Sequence, residues 1–151
     1  MLSVIIPTLN SVQELEALFA ALVPGAVDGL VREVLLADGG STDGTAALCE
    51  DAGATMVQGG LAEVAAAARH DAVLVLPPDL RLPYDWIRKL TAHQVNGGGP
   101  AIIEGMWRRP RWFGPSIGAI GLLMSREQLM ADGRRGLPAL RRRLRRPVRI
   151  D

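Results

Sequence analysis

The residues most able to do chemistry cluster around Asp38. It ends the apolar run Val34-Leu35-Leu36-Ala37 and is followed at once by Gly39-Gly40-Ser41-Thr42-Asp43-Gly44-Thr45. A carboxylate at the end of a buried strand can accept N–H groups from a ligand, and glycines beside it let that ligand approach the backbone. The same residues also suit an ordinary strand-to-helix turn, in which Thr42 or Asp43 caps the helix and Asp38 serves the turn itself. A second acid, Asp79, follows Leu76-Pro77-Pro78 at the end of another apolar run. The remaining reactive types are sparse. Cys49 lies on a helical stretch with no histidine near it and reads as a small core residue. His70 and His93 have no metal-ligand spacing to each other or to an acid, which makes both surface residues.

Strands must bring these acids together. Ser3-Val4-Ile5-Ile6-Pro7 is a β-branched run stopped by proline, so a first strand ends near Ile6 and Thr8-Leu9-Asn10-Ser11 forms the turn. Asn10 or Ser11 then caps a helix over Val12 to Leu22, whose apolar face is Val12, Leu15, Leu18, Phe19 and Leu22, with Pro24-Gly25 ending it. Arg32 to Ala37 is the second strand and Thr45 to Ala52 the second helix. A short strand over Ala54 to Val57, a helix over Leu61 to Arg69 and a strand over Ala72 to Leu76 follow. This alternation implies a parallel sheet with right-handed crossovers. Asp38 and Asp79 then stand at one rim, the carboxyl ends of the strands, where open α/β sheets bind ligands. After a helix around Trp86, Gly97-Gly98-Gly99-Pro100 is the clearest break. Beyond it come a strand over Ala101 to Trp107, a loop carrying Trp112 and Phe113, an apolar run from Ile120 to Ser125 and a helix ending at Asp132-Gly133. Trp107, Trp112 and Phe113 suit stacking on a sugar, dipping into a membrane interface, or packing in a core or interface. Ser116, in a glycine-rich stretch, is either a ligand contact or a loop residue.

The order of these motifs resembles the family-two glycosyltransferases of the GT-A fold. The resemblance rests on Ile6-Pro7-Thr8-Leu9-Asn10, then Ala37-Asp38-Gly39-Gly40-Ser41-Thr42-Asp43-Gly44-Thr45, then Asp79-Leu80-Arg81-Leu82-Pro83, and covers about residues 2–133. It is closest to a short bacterial branch with this second motif. It implies a mostly parallel, Rossmann-like sheet flanked by helices, and transfer of a sugar from a nucleotide-sugar donor to a hydroxyl acceptor with inversion. By the same resemblance Pro7, Thr8, Asn10 and Gly39 line the nucleotide pocket, Asp38 accepts a hydrogen bond from the base, and Asp79 holds a magnesium or manganese ion against the diphosphate.

The sequence also departs from the family. The usual first acid of the metal site is Pro77, the donor-gripping Arg-Asn segment is Gly60-Leu61-Ala62-Glu63-Val64-Ala65, and the acidic pair expected after Asp132-Gly133 has no counterpart. Glu104, Glu127 and Asp132 are the acids of the second half left to act as base, and Glu104 is the one to test. A member that keeps the fold as a binding or regulatory protein without turnover is the alternative reading. The expected organisation is one domain over residues 1–133, split into a nucleotide-binding half (1–96) and a reduced acceptor half (101–133), plus a tail over 134–151. So small an acceptor half makes a homodimer plausible.

Composition bounds these readings. The chain has 151 residues, 48% of them hydrophobic, and one cysteine, which excludes an internal disulfide framework and points to the cytoplasm. No run is long and apolar enough to span a membrane, and Met1-Leu2-Ser3 leads straight into a strand without a basic leader. Residues 1–75 hold ten acids and two bases, residues 76–151 six acids and fifteen bases, so net −8 faces net +9. That split suits an anionic ligand, a membrane surface, a nucleic acid, or two halves that pack together. Eight of the arginines lie from Arg134 onward. The tail reads as an amphipathic membrane-surface helix with Leu137, Leu140 and Leu144 on one face, as a phosphate- or nucleic-acid-binding stretch, or as a solvated, partly disordered end, and the family resemblance favours a remnant of that family's arginine-rich helix. No nucleic-acid motif accompanies it, and nucleic acid is not expected as a partner.

Overall fold

The computed structural model describes residues 1–106, 120–144 and 146–150. In chain order the elements are β1 (Leu2–Thr8), α1 (Val12–Val27), β2 (Val31–Asp38), α2 (Thr45–Asp51), β3 (Thr55–Gln58), α3 (Leu61–Ala67), β4 (Ala72–Val75), α4 (Trp86–Val95), β5 (Ala101–Glu104), β6 (Ile120–Ser125), α5 (Arg126–Asp132), α6 (Leu137–Arg143) and β7 (Val148–Ile150), with a 3₁₀ turn at Gly133–Arg135 between α5 and α6. The strands form one sheet in the order β3-β2-β1-β4-β6-β5-β7. β1 to β4 are mutually parallel, β6 runs antiparallel to both β4 and β5, and β7 is parallel to β5. The carboxyl ends of β1, β2, β3, β4 and β5 therefore share one rim.

Alternation along the strands divides the core in two. Val4, Ile6, Leu36, Leu74 and Leu76 face α1 and α4, where they meet Leu15, Leu18, Leu22, Trp86 and Leu90. Ile5, Leu35, Ala37, Val73 and Val75 face α3, α5 and α6, meeting Val64, Ala65, Leu129 and Leu140. Cys49 is a free, buried thiol in the first of these clusters. Burial and the charge of Asp38 raise its pKa, which agrees with a core role.

Several element ends differ from the sequence reading. β1 continues through Pro7 to Thr8, because its pairing with β4 stops at Ile5 and a residue without an N–H loses no ladder bond beyond that point. α1 runs past Pro24 and Gly25 to Val27. A proline so near the helix end removes one bond only, and the glycine lies under Trp86, whose ring carbon Cη2 would stand 2.6 Å from an added Cβ. Trp86 Nε1 also donates to the Ala21 carbonyl at 3.2 Å, fixing α4 across α1.

The arginine-rich segment is built into the same fold rather than trailing from residue 133. Leu140 and Leu144 are buried in the α3–α5 cluster, Leu137 packs against it, and β7 adds a strand beside β5. The leucine stripe that would have faced a membrane is thus spent on the core. Arg143 pairs with Asp132 at 2.5 Å and Arg149 with Glu104 at 2.9 Å. Among the described residues no helix is long and apolar enough to cross a membrane. Trp107, Trp112, Phe113 and Ser116 lie outside the described residues.

Leu140→Ala tests this integration. Truncating a fully buried leucine costs about 2–5 kcal/mol, so urea denaturation should show a loss in that range. A loss under about 0.5 kcal/mol would mean that α6 is peripheral.

A cleft at the carboxyl rim of the sheet

The two turns at the ends of β1 and β2 are a single interlocked unit. Register sets Asp38 level with Thr8 on β1 and with Gln58 on β3, so all three side chains leave the sheet on the same face. Thr8 Oγ1 donates to Asp38 Oδ1 at 3.4 Å and Gln58 Nε2 donates to Oδ2 at 3.0 Å. The Gly40 and Ser41 amides reach Oδ2 at 3.1 and 3.0 Å, and Ser41 Oγ reaches Oδ1 at 2.5 Å. Five donors thus converge on a carboxylate that is 3% exposed. Burial pushes its pKa up, but donation from the Ser41 hydroxyl and amide, Gln58 and the Gly40 amide outweighs that and holds it at about 2.

Asn10 closes the unit from the other side. It sits at φ +48°, a left-handed conformation that asparagine tolerates. Its Oδ1 accepts from the amides of Thr42 (2.8 Å) and Asp43 (3.2 Å), while its own amide donates to Ser41 Oγ (3.0 Å). Asp43 Oδ1 in turn accepts from the amide and hydroxyl of Thr45 at the start of α2, while the N-cap position itself is Gly44 rather than Thr42 or Asp43. Neither Asn10 nor Ser11 caps α1 through its side chain. Of the glycine pair, only Gly40 (φ +103°) needs its conformational freedom.

Behind these turns, on the α3 face of the rim, lies a cleft of about 650 Å³, a size that fits a small ligand. Its floor is Pro7, Thr8, Ala37 and Gly39, and its sides are Gly59, Gly60, Leu61 and Glu63 at the start of α3 together with Pro78, Gly133, Arg134, Gly136 and Leu137. Gly133 permits this closure, since a Cβ there would lie 3.0 Å from the Ala62 amide nitrogen at the start of α3. Arg134 is thereby carried to the mouth of the cleft beside α3.

The residues named from sequence divide accordingly. Pro7, Thr8 and Gly39 line the cleft. Asp38 and Asn10 do not: the Asp38 carboxylate points to the α1–α2 side and is met there by donors from Thr8, Gly40, Ser41 and Gln58. Asp79 is exposed at the same rim, next to the cleft residue Pro78. Glu104 ends β5, four strands from β2 or about 19 Å at ~4.8 Å per strand, and it pairs with Arg149 instead of facing the cleft. Asp132 is engaged by Arg143 and Glu127 is exposed. Among the described residues no three His, Cys, Asp or Glu side chains form a metal-binding group. Sequence reasoning missed Glu63 and Arg134 as cleft residues. The available signal was Gly60-x-x-Glu63, half of a capping box, which fixes an acid at the start of a helix on the ligand rim.

Comparison with known proteins gives three findings. Residues 3–103 match the family model described as glycosyl transferase family 2. Glucosyl-3-phosphoglycerate synthase of Mycolicibacterium paratuberculosis is 30% identical over 136 residues, which cover 80% of this chain and 41% of that protein. The Mycobacterium tuberculosis protein of the same name is 30% identical over 125 residues, 72% of this chain and 38% of that one. Crystal structures of the tuberculosis enzyme superpose with TM-scores of 0.64 (with Mn²⁺, UDP and glucosyl-3-phosphoglycerate) and 0.63 (with Mn²⁺ and UDP-glucose), at 25% identity. Each covers 85% of this chain, and the chain spans 58% and 57% of the two crystallised chains. The fold is therefore the GT-A type, a mostly parallel seven-stranded sheet flanked by helices.

The buried carboxylate sets a pH dependence. Because Asp38 titrates below its ordinary value of 3.8, its ionised form stabilises the fold fully above about pH 4, and that stability is lost as the pH falls toward 2. Asp38→Asn should therefore cost about 2 kcal/mol at pH 7, and the gap to the wild type should close between about pH 4 and 2. Denaturation midpoints against pH measure this; a gap that persists at pH 2 would assign the loss to packing.

Proposed function

Because the chain belongs to glycosyl transferase family 2, we propose that its rim cleft holds a nucleotide-sugar donor and that the bound sugar passes to a hydroxyl acceptor with inversion. The observation that carries this reading is the cleft itself. It lies across the carboxyl ends of the parallel strands, and among the described residues an exposed cation, Arg134, lines it. Pro7, Thr8 and Gly39 offer a floor of backbone and small side chains against which a nucleoside can lie. Arg134 supplies the fixed positive charge a diphosphate needs, and its guanidinium can donate to two phosphate oxygens at once.

Asp79 is the acid that would hold a divalent ion. One carboxylate is a thin donor set on its own, but magnesium and manganese commonly take one or two carboxylates and complete their shell with substrate phosphates and water. The exposed side chain beside Pro78 leaves room for that arrangement. When bound, such an ion screens charge on the departing nucleotide. Asp38 acts indirectly in this reading, holding Thr8 and Gly39 where the nucleoside meets them.

UDP-glucose, present in one of the related crystal structures, is the donor to test first. A second reading has its own support. Glu63 is the one acid among the cleft's described lining residues, and no second carboxylate stands there to serve as a base. Loss of a positioned base costs some 10²–10⁴-fold in rate. The protein then binds donor without appreciable turnover by itself. A single free thiol, buried, suits a reducing cytoplasm in either case.

Calorimetry with UDP-glucose and Mn²⁺ is expected to give saturable heat. Arg134→Ala should weaken binding about tenfold or more, whereas Asp79→Ala should weaken it only when the metal is present. The absence of heat with either UDP- or GDP-sugars would remove the donor reading. Release of UDP that depends on an acceptor separates the enzyme from the binding protein.

A further inference from the structure

We infer that Glu63 reads the ribose of the bound nucleotide, its outer carboxylate oxygen accepting from the sugar's hydroxyls. This inference rests on the donor reading above and names a specificity group that reading lacks. Glu63 is the one carboxylate among the described residues that lines the cleft. Its Oε2 accepts from the Gly60 amide at 3.1 Å, which fixes the side chain at the start of α3. Oε1 accepts no hydrogen bond among the described residues. The carboxylate is therefore oriented by one oxygen and open at the other.

The glycines before it preserve that orientation. A Cβ on Gly60 would come within 3.0 Å of Glu63 Oε2, and one on Gly59 within 3.2 Å of the Glu63 Cβ. Gly59 also sits at φ +135°, which other residues rarely adopt. Any side chain here would crowd the carboxylate from the cleft side.

Geometry selects the ribose over other parts of a nucleotide. Gly133 packs on the first turn of α3, so Arg134 and Glu63 flank the same end of the cleft. No ion pair joins them among the described residues, and each is free to meet a ligand. A group that takes phosphate oxygens and a neighbour that takes O–H donors match adjacent parts of one molecule, a diphosphate and a sugar attached to it, and in a nucleoside diphosphate that sugar is the ribose. An acid at the carboxyl rim of an α/β sheet that accepts from a ribose hydroxyl is chemically well suited to the task. Asp38 lies outside the cleft lining and is already met by Thr8, Gly40, Ser41 and Gln58, and Pro77 carries no acceptor side chain.

The test compares UDP with 2′-deoxy-UDP by calorimetry, in the full chain with Mn²⁺, for the wild type, Glu63→Gln and Glu63→Ala. A charge-assisted hydrogen bond should give the wild type about a ten- to hundredfold preference for UDP. Glu63→Ala should bring that ratio to near one. Glu63→Gln keeps an oxygen for the Gly60 amide, so its thermal midpoint should stay near the wild type while the ratio falls several-fold. If UDP binds and both variants retain the wild-type ratio, or if they lose UDP and 2′-deoxy-UDP equally, the inference is overturned and the donor reading stands. If the variants instead change preference between UDP and GDP, Glu63 reads the base and the ribose assignment is wrong. If no diphosphate binds the wild type, both readings fall together.

Discussion

A charged carboxylate hidden from water must be met by donors or the fold loses several kcal/mol. Asp38 meets that demand with Thr8 from β1, Gln58 from β3, and Gly40 and Ser41 from its own turn. Three strands are thus tied at one rim by a single side chain. Asn10 and Thr45 extend the tie to the starts of α1 and α2. Moving any one of these segments would strand a buried polar group elsewhere. The rim is rigid for that reason, and the cleft inherits its floor from the backs of the same turns.

The motif richest in polar residues spends nearly all of them on itself: Asp38, Ser41, Asp43 and Thr45 each have a partner inside the turn. The charged side chains among the described cleft lining, Glu63 and Arg134, come from less conspicuous places, the start of α3 and the 3₁₀ turn after α5. Glu63 is fixed by a capping bond and Arg134 by a glycine that lets two backbones approach. A conspicuous acid in a sequence is as often an answer to an unsatisfied backbone as a ligand contact.

The charge asymmetry is met only in part inside the fold. Arg126 joins the halves by reaching Asp71 and the Ala68 carbonyl, while Arg143–Asp132 and Arg149–Glu104 pair within the basic half. These pairs are largely exposed and each is worth little in stability. Their effect is to bring α6 and β7 in with their arginines outward and their leucines inward. What looked like a tail for an external partner is the last layer of the domain.

The sequence by itself determined the local elements and their order. Alternation in β1, β2 and β4, the helical spacing of Leu15, Leu18 and Leu22, and the placement of Asp38 and Asp79 after apolar runs are short-range patterns, and they specify a sheet with acids at its carboxyl rim. The motif order also identified the family. Only the tertiary structure decided which face each acid serves, because alternation says which residues share a side without saying what covers it. It also decided that the Leu140 stripe meets α3 and α5, since apolar attraction has no direction and a leucine face does not name its partner. The meeting of Glu63 and Arg134 depended on the chain returning through α5 to pack on α3, a long-range contact that no spacing along the sequence encodes.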